Sequence, residues 1–69
     1  MKKDLIYTKF WDACTHDDVI SLLEVIDHVQ EIDKKNYLGW SGIIMAAFNH
    51  SFSVIPILLK YKSNIFKKN

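Results

Sequence analysis

The sequence predicts an all-α fold, a short stack of two helix-turn-helix units, and three observations lead there. Residues Ile32-Asp33-Lys34-Lys35-Asn36 return as Ile65-Phe66-Lys67-Lys68-Asn69 at an offset of 33, and the offset holds without a gap along the chain. At that spacing Ala13 falls on Ala46, Cys14 on Ala47 and Thr8 on Ser41, while Val19, Leu22, Val25 and Ile26 fall on Phe52, Ile55, Leu58 and Leu59. Nearly half of the 69 residues are apolar, with only two glycines and one proline, a composition that favours packed helices over disorder. A fixed period of this length marks a stacked-repeat protein, in which a unit buries its apolar face only by leaning on a neighbour.

The first helix is predicted from about residue 5 to about 14, because Ile6, Phe10 and Ala13 recur at i, i+4 and i+7. Asp17 or Asp18 then caps a second helix whose stripe is Val19, Leu22, Val25 and Ile26. The link Thr15-His16-Asp17-Asp18 is short and polar, so the two helices fold back as a hairpin. An extended turn over Asp33 to Trp40 follows, with Asn36-Tyr37-Leu38-Gly39 as its tight part, Asn first and Gly last. Ser41 caps a third helix carrying Ile43, Ala46 and Ala47, and Asn49-His50-Ser51 turns into a fourth that ends near Lys60. Pro56 sets the start of that helix: with Ser53 as cap it lies in the first turn, where its missing N–H costs little.

Composition narrows function. A chain of this size forms one domain, residues 1–69, and buries only about 60% of its unfolded surface, so its core is thin. Eight acidic residues nearly cancel nine lysines, the net charge is +1, and there is no arginine, the side chain that grips phosphate and guanine bidentately. Nucleic acid is therefore not an expected partner, and no stretch reaches membrane-spanning length or has the apolar core of a secretion signal. Cys14 is the only cysteine, which rules out an intramolecular disulfide and a cysteine metal cage and points to a reducing, cytoplasmic setting.

Turn, helix, tight loop and helix at a 33-residue period give the segment from Asn36 a resemblance to an ankyrin repeat, and the first unit resembles that family's N-terminal cap. The family's Asp-x-x-Gly-x-Thr-Pro-Leu-His-x-Ala-Ala is matched by Asn36-Tyr37-Leu38-Gly39-Trp40-Ser41-Gly42-Ile43-Ile44-Met45-Ala46-Ala47. Val54-Ile55-Pro56-Ile57-Leu58-Leu59 resembles its Val-Val-x-Leu-Leu-Leu helix, and Ser63-Asn64-Ile65 its Ala-Asp-Val ending. The chain departs from the pattern at Gly42, Ile44, His50 and Lys62, where the family has Pro, His, Gly between the helices and Gly after the second helix; the last marks a position of left-handed backbone, where a non-glycine residue costs about 1 kcal/mol. The resemblance implies an ankyrin-like solenoid with repeat 1 over about residues 3–35 and repeat 2 over about 36–68.

It also implies function: a non-enzymatic protein-protein interaction module, binding a protein through the concave surface of turns and first helices. The family's contact positions fall on Tyr37, Leu38, Trp40, Phe48 and Asn49 in the second unit, and on Asp4, Leu5, Tyr7, Thr15 and His16 in the first, of which Tyr7 is the best candidate. Trp and Tyr are favoured anchors at binding hot spots. Trp40 has an alternative role, folding over the helices as local packing. The other functional reading is self-association, or service as a segment of a longer array, through an apolar end face of Ile55, Ile57, Leu58, Leu59 and Phe66; on either account that face is covered by further repeats, another copy or a partner.

No catalytic residue, cofactor or metal site is expected. Cys14, His16 and Asp17 are close in sequence, but Cys14 falls on a packing alanine, and an active thiolate needs a base within hydrogen-bond reach. His16, His28 and His50 lie on separate loops without the i, i+4 spacing of a two-histidine metal site. Lys34-Lys35 and Lys67-Lys68 make a basic ridge at the unit boundaries, usually a solvated face.

Overall fold

The computed structural model of the chain describes residues 3–67, and side chains from residue 4 to residue 62. Helices α1 (Lys3–His16), α2 (Val19–Val25), α3 (Gly42–Phe48) and α4 (Ile55–Lys67), with a 3-10 turn over Ile26–His28, make up its regular structure, and no strand occurs among the described residues. The protein is all-α. Helix α1 packs against α2 and against α3, and α3 packs against α4.

Local chemistry sets the boundaries. The buried side of α1 is Tyr7, Phe10, Ala13 and Cys14, which keeps Phe10 and Ala13 of the expected stripe and leaves Ile6 only half-buried. The helix closes where Asp17 takes a left-handed φ of 56° and the Asp18 N–H donates to the Ala13 carbonyl at 3.0 Å. Asp18 then caps α2, one carboxylate oxygen accepting from the Ser21 N–H at 3.2 Å and the other from the Ser21 hydroxyl at 2.8 Å. The second hairpin repeats this corner. His50 has a φ of 57°, and the Ser51 N–H donates to the Ala46 carbonyl at 2.8 Å, so the same left-handed residue and the same closing bond recur 33 residues on.

The connection between hairpins is held at both ends. Tyr7 is 3% exposed, and its hydroxyl accepts from the Glu31 N–H at 3.0 Å while Ile32 enters the core. Asn36 closes the tight turn: its side-chain oxygen accepts from the N–H groups of Leu38 and Trp40, and its carbonyl from that of Gly39, whose φ of 84° suits a glycine. The Ser41 hydroxyl accepts from the Ile44 N–H and so caps α3. Helix α4 starts at Ile55, later than a Ser53 cap requires, and Pro56 is its second residue, where no intrahelical bond is lost.

The core unites both hairpins. Phe10, Leu22, Val25, Val54 and Leu58 are its largest fully or almost fully buried apolar side chains. Helices α1 and α3 meet closely at Gly42, where a β-carbon would lie 2.8 Å from Phe10 Cε2 and 3.1 Å from Cys14 Sγ. Contacts advance in the same direction along both helices, from Phe10 with Gly42 to the Thr15 hydroxyl with the Met45 sulfur and the Thr15 carbonyl with the Ser51 hydroxyl.

Five expectations are corrected, the first being the end face: Leu58 lies in the core and Ile55 and Ile57 pack half-buried against it, which leaves Leu59 exposed. The close approach uses Gly42 and Ala46, whereas Ala47 is exposed. Tyr7 belongs to the core and is withdrawn from the contact positions. Helix α4 runs past Lys60 to Lys67, and Lys62 is helical, not left-handed. The sequence likeness between residues 32–36 and 65–69 is not a likeness of conformation over the described part, because 32–33 is turn and 34 has no regular structure while 65–67 is helix. The side chains of Ser63 to Asn69, Phe66 and the Lys67-Lys68 pair included, lie outside the described residues.

Candidate functional site

The tight turn and α3 each expose apolar side chains. Asn36 bonds two N–H groups of the turn to itself, which holds Tyr37 and Leu38 outward at the tip, Tyr37 at 93% exposure. Trp40 leaves the turn half-buried and meets the Phe48 ring edge-on, with centroids 5.0 Å apart and planes at 61°. Phe48 itself is 68% exposed. Thus Trp40 packs locally, but on a neighbour that is itself open to solvent, and the pair carries the surface from the turn onto the helix.

Within α3 the two sides separate cleanly. Gly42, Met45 and Ala46 face the core, and Asn49 adjoins them, donating from its side chain to the Met45 carbonyl at 2.8 Å although the residue is exposed overall. Ile44, Ala47 and Phe48 stand at i, i+3 and i+4 on the other side, all exposed. Of the expected contact residues the structure joins Trp40 to Phe48, exposes Tyr37 and Leu38 on the turn before them, engages Asn49 in a helix-end bond, and buries Tyr7. In the first hairpin Asp4, Leu5 and His16 are exposed and Thr15 is half-buried, its hydroxyl donating to the Trp11 carbonyl at 2.9 Å. Ile44 and Ala47 were missed from the sequence; with Met45 and Ala46 between them, they are told apart from core only by the phase of the helix.

Cys14 is fully buried between α1 and α3, and burial pushes its thiol up to about 12, so it is a packing group and not a thiolate at neutral pH. His16 and Asp17 are exposed, and an Asp17 carboxylate oxygen is engaged elsewhere: it accepts from the N–H groups of Ser53 at 2.9 Å and Val54 at 3.2 Å, across the hairpin boundary.

Two more carboxylates of the first half reach the second. Asp27 accepts from the Tyr61 hydroxyl at 3.1 Å, which raises the Tyr61 pKa through the hydrogen bond to the carboxylate, and Asp33 pairs with Lys62 at 3.3 Å. A signal for this lay in the sequence unread: all eight Asp and Glu fall between Asp4 and Asp33, and residues 36–69 hold none.

Comparison of the chain with protein-family models, with curated proteins and with solved structures finds no match. No helix among the described residues is long and apolar enough to cross a membrane.

Proposed function

We propose that this chain is a protein-interaction module made of two ankyrin-like helical hairpins, which recognises a protein partner through Tyr37, Leu38, Trp40 and Phe48. The observation that carries the reading is the edge-on Trp40–Phe48 pair with its outer ring solvated, placed just after a turn whose tip exposes Tyr37 and Leu38. Contiguous exposed apolar patches with aromatic anchors are uncommon on monomers and mark binding sites. The ankyrin-like part is supported by the recurrence of the left-handed residue and its closing bond at Asp17 and His50, and by the parallel advance of contacts along α1 and α3. In a repeat stack each unit contacts its neighbour through like surfaces.

Affinity capture from native lysate tests the reading. The wild-type chain retains a protein that a Tyr37, Trp40 and Phe48 triple alanine variant loses, and Trp40→Ala alone weakens that complex by about 2 kcal/mol or more. Tyr37→Ala guards against misreading an unfolded variant, since a side chain 93% exposed contributes almost nothing to the fold. A partner retained equally by wild type, Tyr37→Ala and the folded triple variant overturns the proposal.

A further inference from the structure

The first hairpin shows what its covered face is made of, and the 33-residue period shows what stands there in the second. On the covered side Cys14 lies against Gly42, and Ile26, 2% exposed, belongs to the core that both hairpins share. Carboxylates sit around them, Asp17 accepting from the first N–H groups before α4 and Asp27 from the Tyr61 hydroxyl. One period on, Cys14 becomes exposed Ala47 and Ile26 becomes Leu59, 51% exposed. The acceptors are inverted at the same time. Asp17 becomes His50, in the same left-handed conformation, and Asp27 becomes Lys60, also exposed.

This inversion decides what can cover the second face. A further hairpin of the same kind brings backbone N–H groups, a tyrosine hydroxyl and a lysine to it, as α4 and its leading turn bring them to the first, and these donors then meet an imidazole, which offers at most one acceptor nitrogen where Asp17 offers a carboxylate, and an ammonium, which offers none. The first hairpin of a second copy fits no better in that register. It places Lys9 and Asp12 where Gly42 and Met45 pack within the chain, and Gly42 fits there only because it lacks a side chain. Burying an uncompensated ammonium and carboxylate is strongly unfavourable. Apposing two second faces fails as well, because residues 36–69 carry lysines and no carboxylate. The face requires an occupant that brings apolar side chains and acceptors together.

We propose that the outer face of the second hairpin, Ile44, Ala47, Phe48 and Leu59 with His50 and Lys60 at its edge, docks an acidic amphipathic helix of a protein partner. The proposal rests on the interaction-module reading above and adds the partner's chemistry. Ala47 lies between Ile44 and Phe48 as Cys14 lies between Trp11 and Thr15, a low point over which a helix approaches closely, with apolar anchors along one side in the helix-in-groove mode. Its flanking carboxylates accept from Lys60 and His50 as Asp27 and Asp17 accept from the second hairpin, but with the direction of donation reversed.

The test uses the full chain and three labelled synthetic peptides of about five helical turns: a leucine stripe at helical spacing on a glutamate background, the same stripe on a lysine background, and the glutamate background with the stripe scrambled. Fluorescence anisotropy is expected to show the first bound at least tenfold more tightly than either other, and more weakly as salt rises. Ala47→Arg removes that binding while leaving thermal unfolding unchanged. His50→Asp with Lys60→Glu reverses the preference between the glutamate and lysine peptides. Equal or tighter binding of the lysine peptide overturns the inference, as does failure of the glutamate peptide to bind at millimolar concentration, or sedimentation showing that wild-type chains cover the face by self-association. A lysate partner lost on Tyr37→Ala together with no glutamate preference leaves the interaction-module reading standing and overturns this one alone.

Discussion

The two hairpins share a backbone plan and differ in what they do with their acids. In the first, carboxylates organise structure: Asp18 caps α2, Asp17 holds the turn before α4, Asp27 and Asp33 reach Tyr61 and Lys62, and Glu24 lies 3.6 Å from Lys9. The second contains no acid, and serine and asparagine oxygens perform its local capping, at Asn36 and Ser41. Neutral acceptors satisfy a helix end or a turn nearly as well as a carboxylate. They do not give a face a charge. The difference teaches that the hairpins are alike where each folds itself and unlike where each meets something else.

Equivalent positions break this comparison most sharply in the core. Phe10 is fully buried against Gly42, whereas its counterpart Ile43 is only half-buried. Phe10→Ala is expected to cost about 3–5 kcal/mol, enough to unfold much of a chain this small. Ile43→Ala removes less area from contact and costs about 1–2 kcal/mol. Urea unfolding of both variants measures the ratio. Equal losses mean that the second hairpin is as fully covered as the first, and the comparison fails.

What was legible in the sequence was what a few neighbouring residues decide. A cap at Asp17 or Asp18, the Ser41 cap, the Asn36-to-Gly39 turn, the hairpin link and the early position of Pro56 depend on side chains within about four residues of the backbone they serve. The corrected features depend on partners far along the chain. Tyr7 is buried because its hydroxyl meets the Glu31 N–H, 24 residues away, and no local pattern signals that. Helix α4 outruns α2 because Lys60-Tyr61-Lys62 stands where the first hairpin has Asp27-His28-Val29, a run containing a β-branched residue and an aspartate of low helix propensity. The aromatic surface was half legible: Tyr37 and Leu38 follow from the turn, while the exposure of Ile44 and Ala47 depends on which side of α3 meets α1.

The left-handed corners sharpen the comparison at smaller scale. Asp17 combines a positive φ with a carboxylate that accepts two N–H bonds; His50 has the φ without that role, its ring 5.7 Å from Phe52. Asp17→Gly relieves the backbone and loses the acceptor, a net cost of about 1 kcal/mol. His50→Gly relieves the backbone alone and gains up to about 1 kcal/mol. The two substitutions are identical in kind and opposite in expected sign, so paired thermal melts separate a structural corner from an available one. A loss at both sites shows that His50 carries structural contacts equivalent to those of Asp17.

The smallest effect concerns pH, and it divides between the hairpins by sign. Hydrogen bonds from the Ser21 hydroxyl and N–H, the hydroxyl's being the stronger, hold the Asp18 carboxyl below its ordinary value in the folded state. A lowered acid contributes stability that is complete above its unfolded pKa, about 3.9, and fades as pH falls through the lower folded value. Tyr61 is shifted the other way by its bond to Asp27. Its contribution is complete below the unfolded pKa of about 10 and fades as pH rises through the higher folded value. Asp18→Asn keeps a capping oxygen but cannot titrate, so it flattens the acid limb of a Tm-against-pH profile and leaves the alkaline limb unchanged. Tyr61→Phe flattens the alkaline limb and leaves the acid limb nearly as it was. Should Asp18→Asn move both limbs together, the cap is working through the packing of α2 and not through its charge, and the division of electrostatic roles between the two hairpins loses its support at this corner.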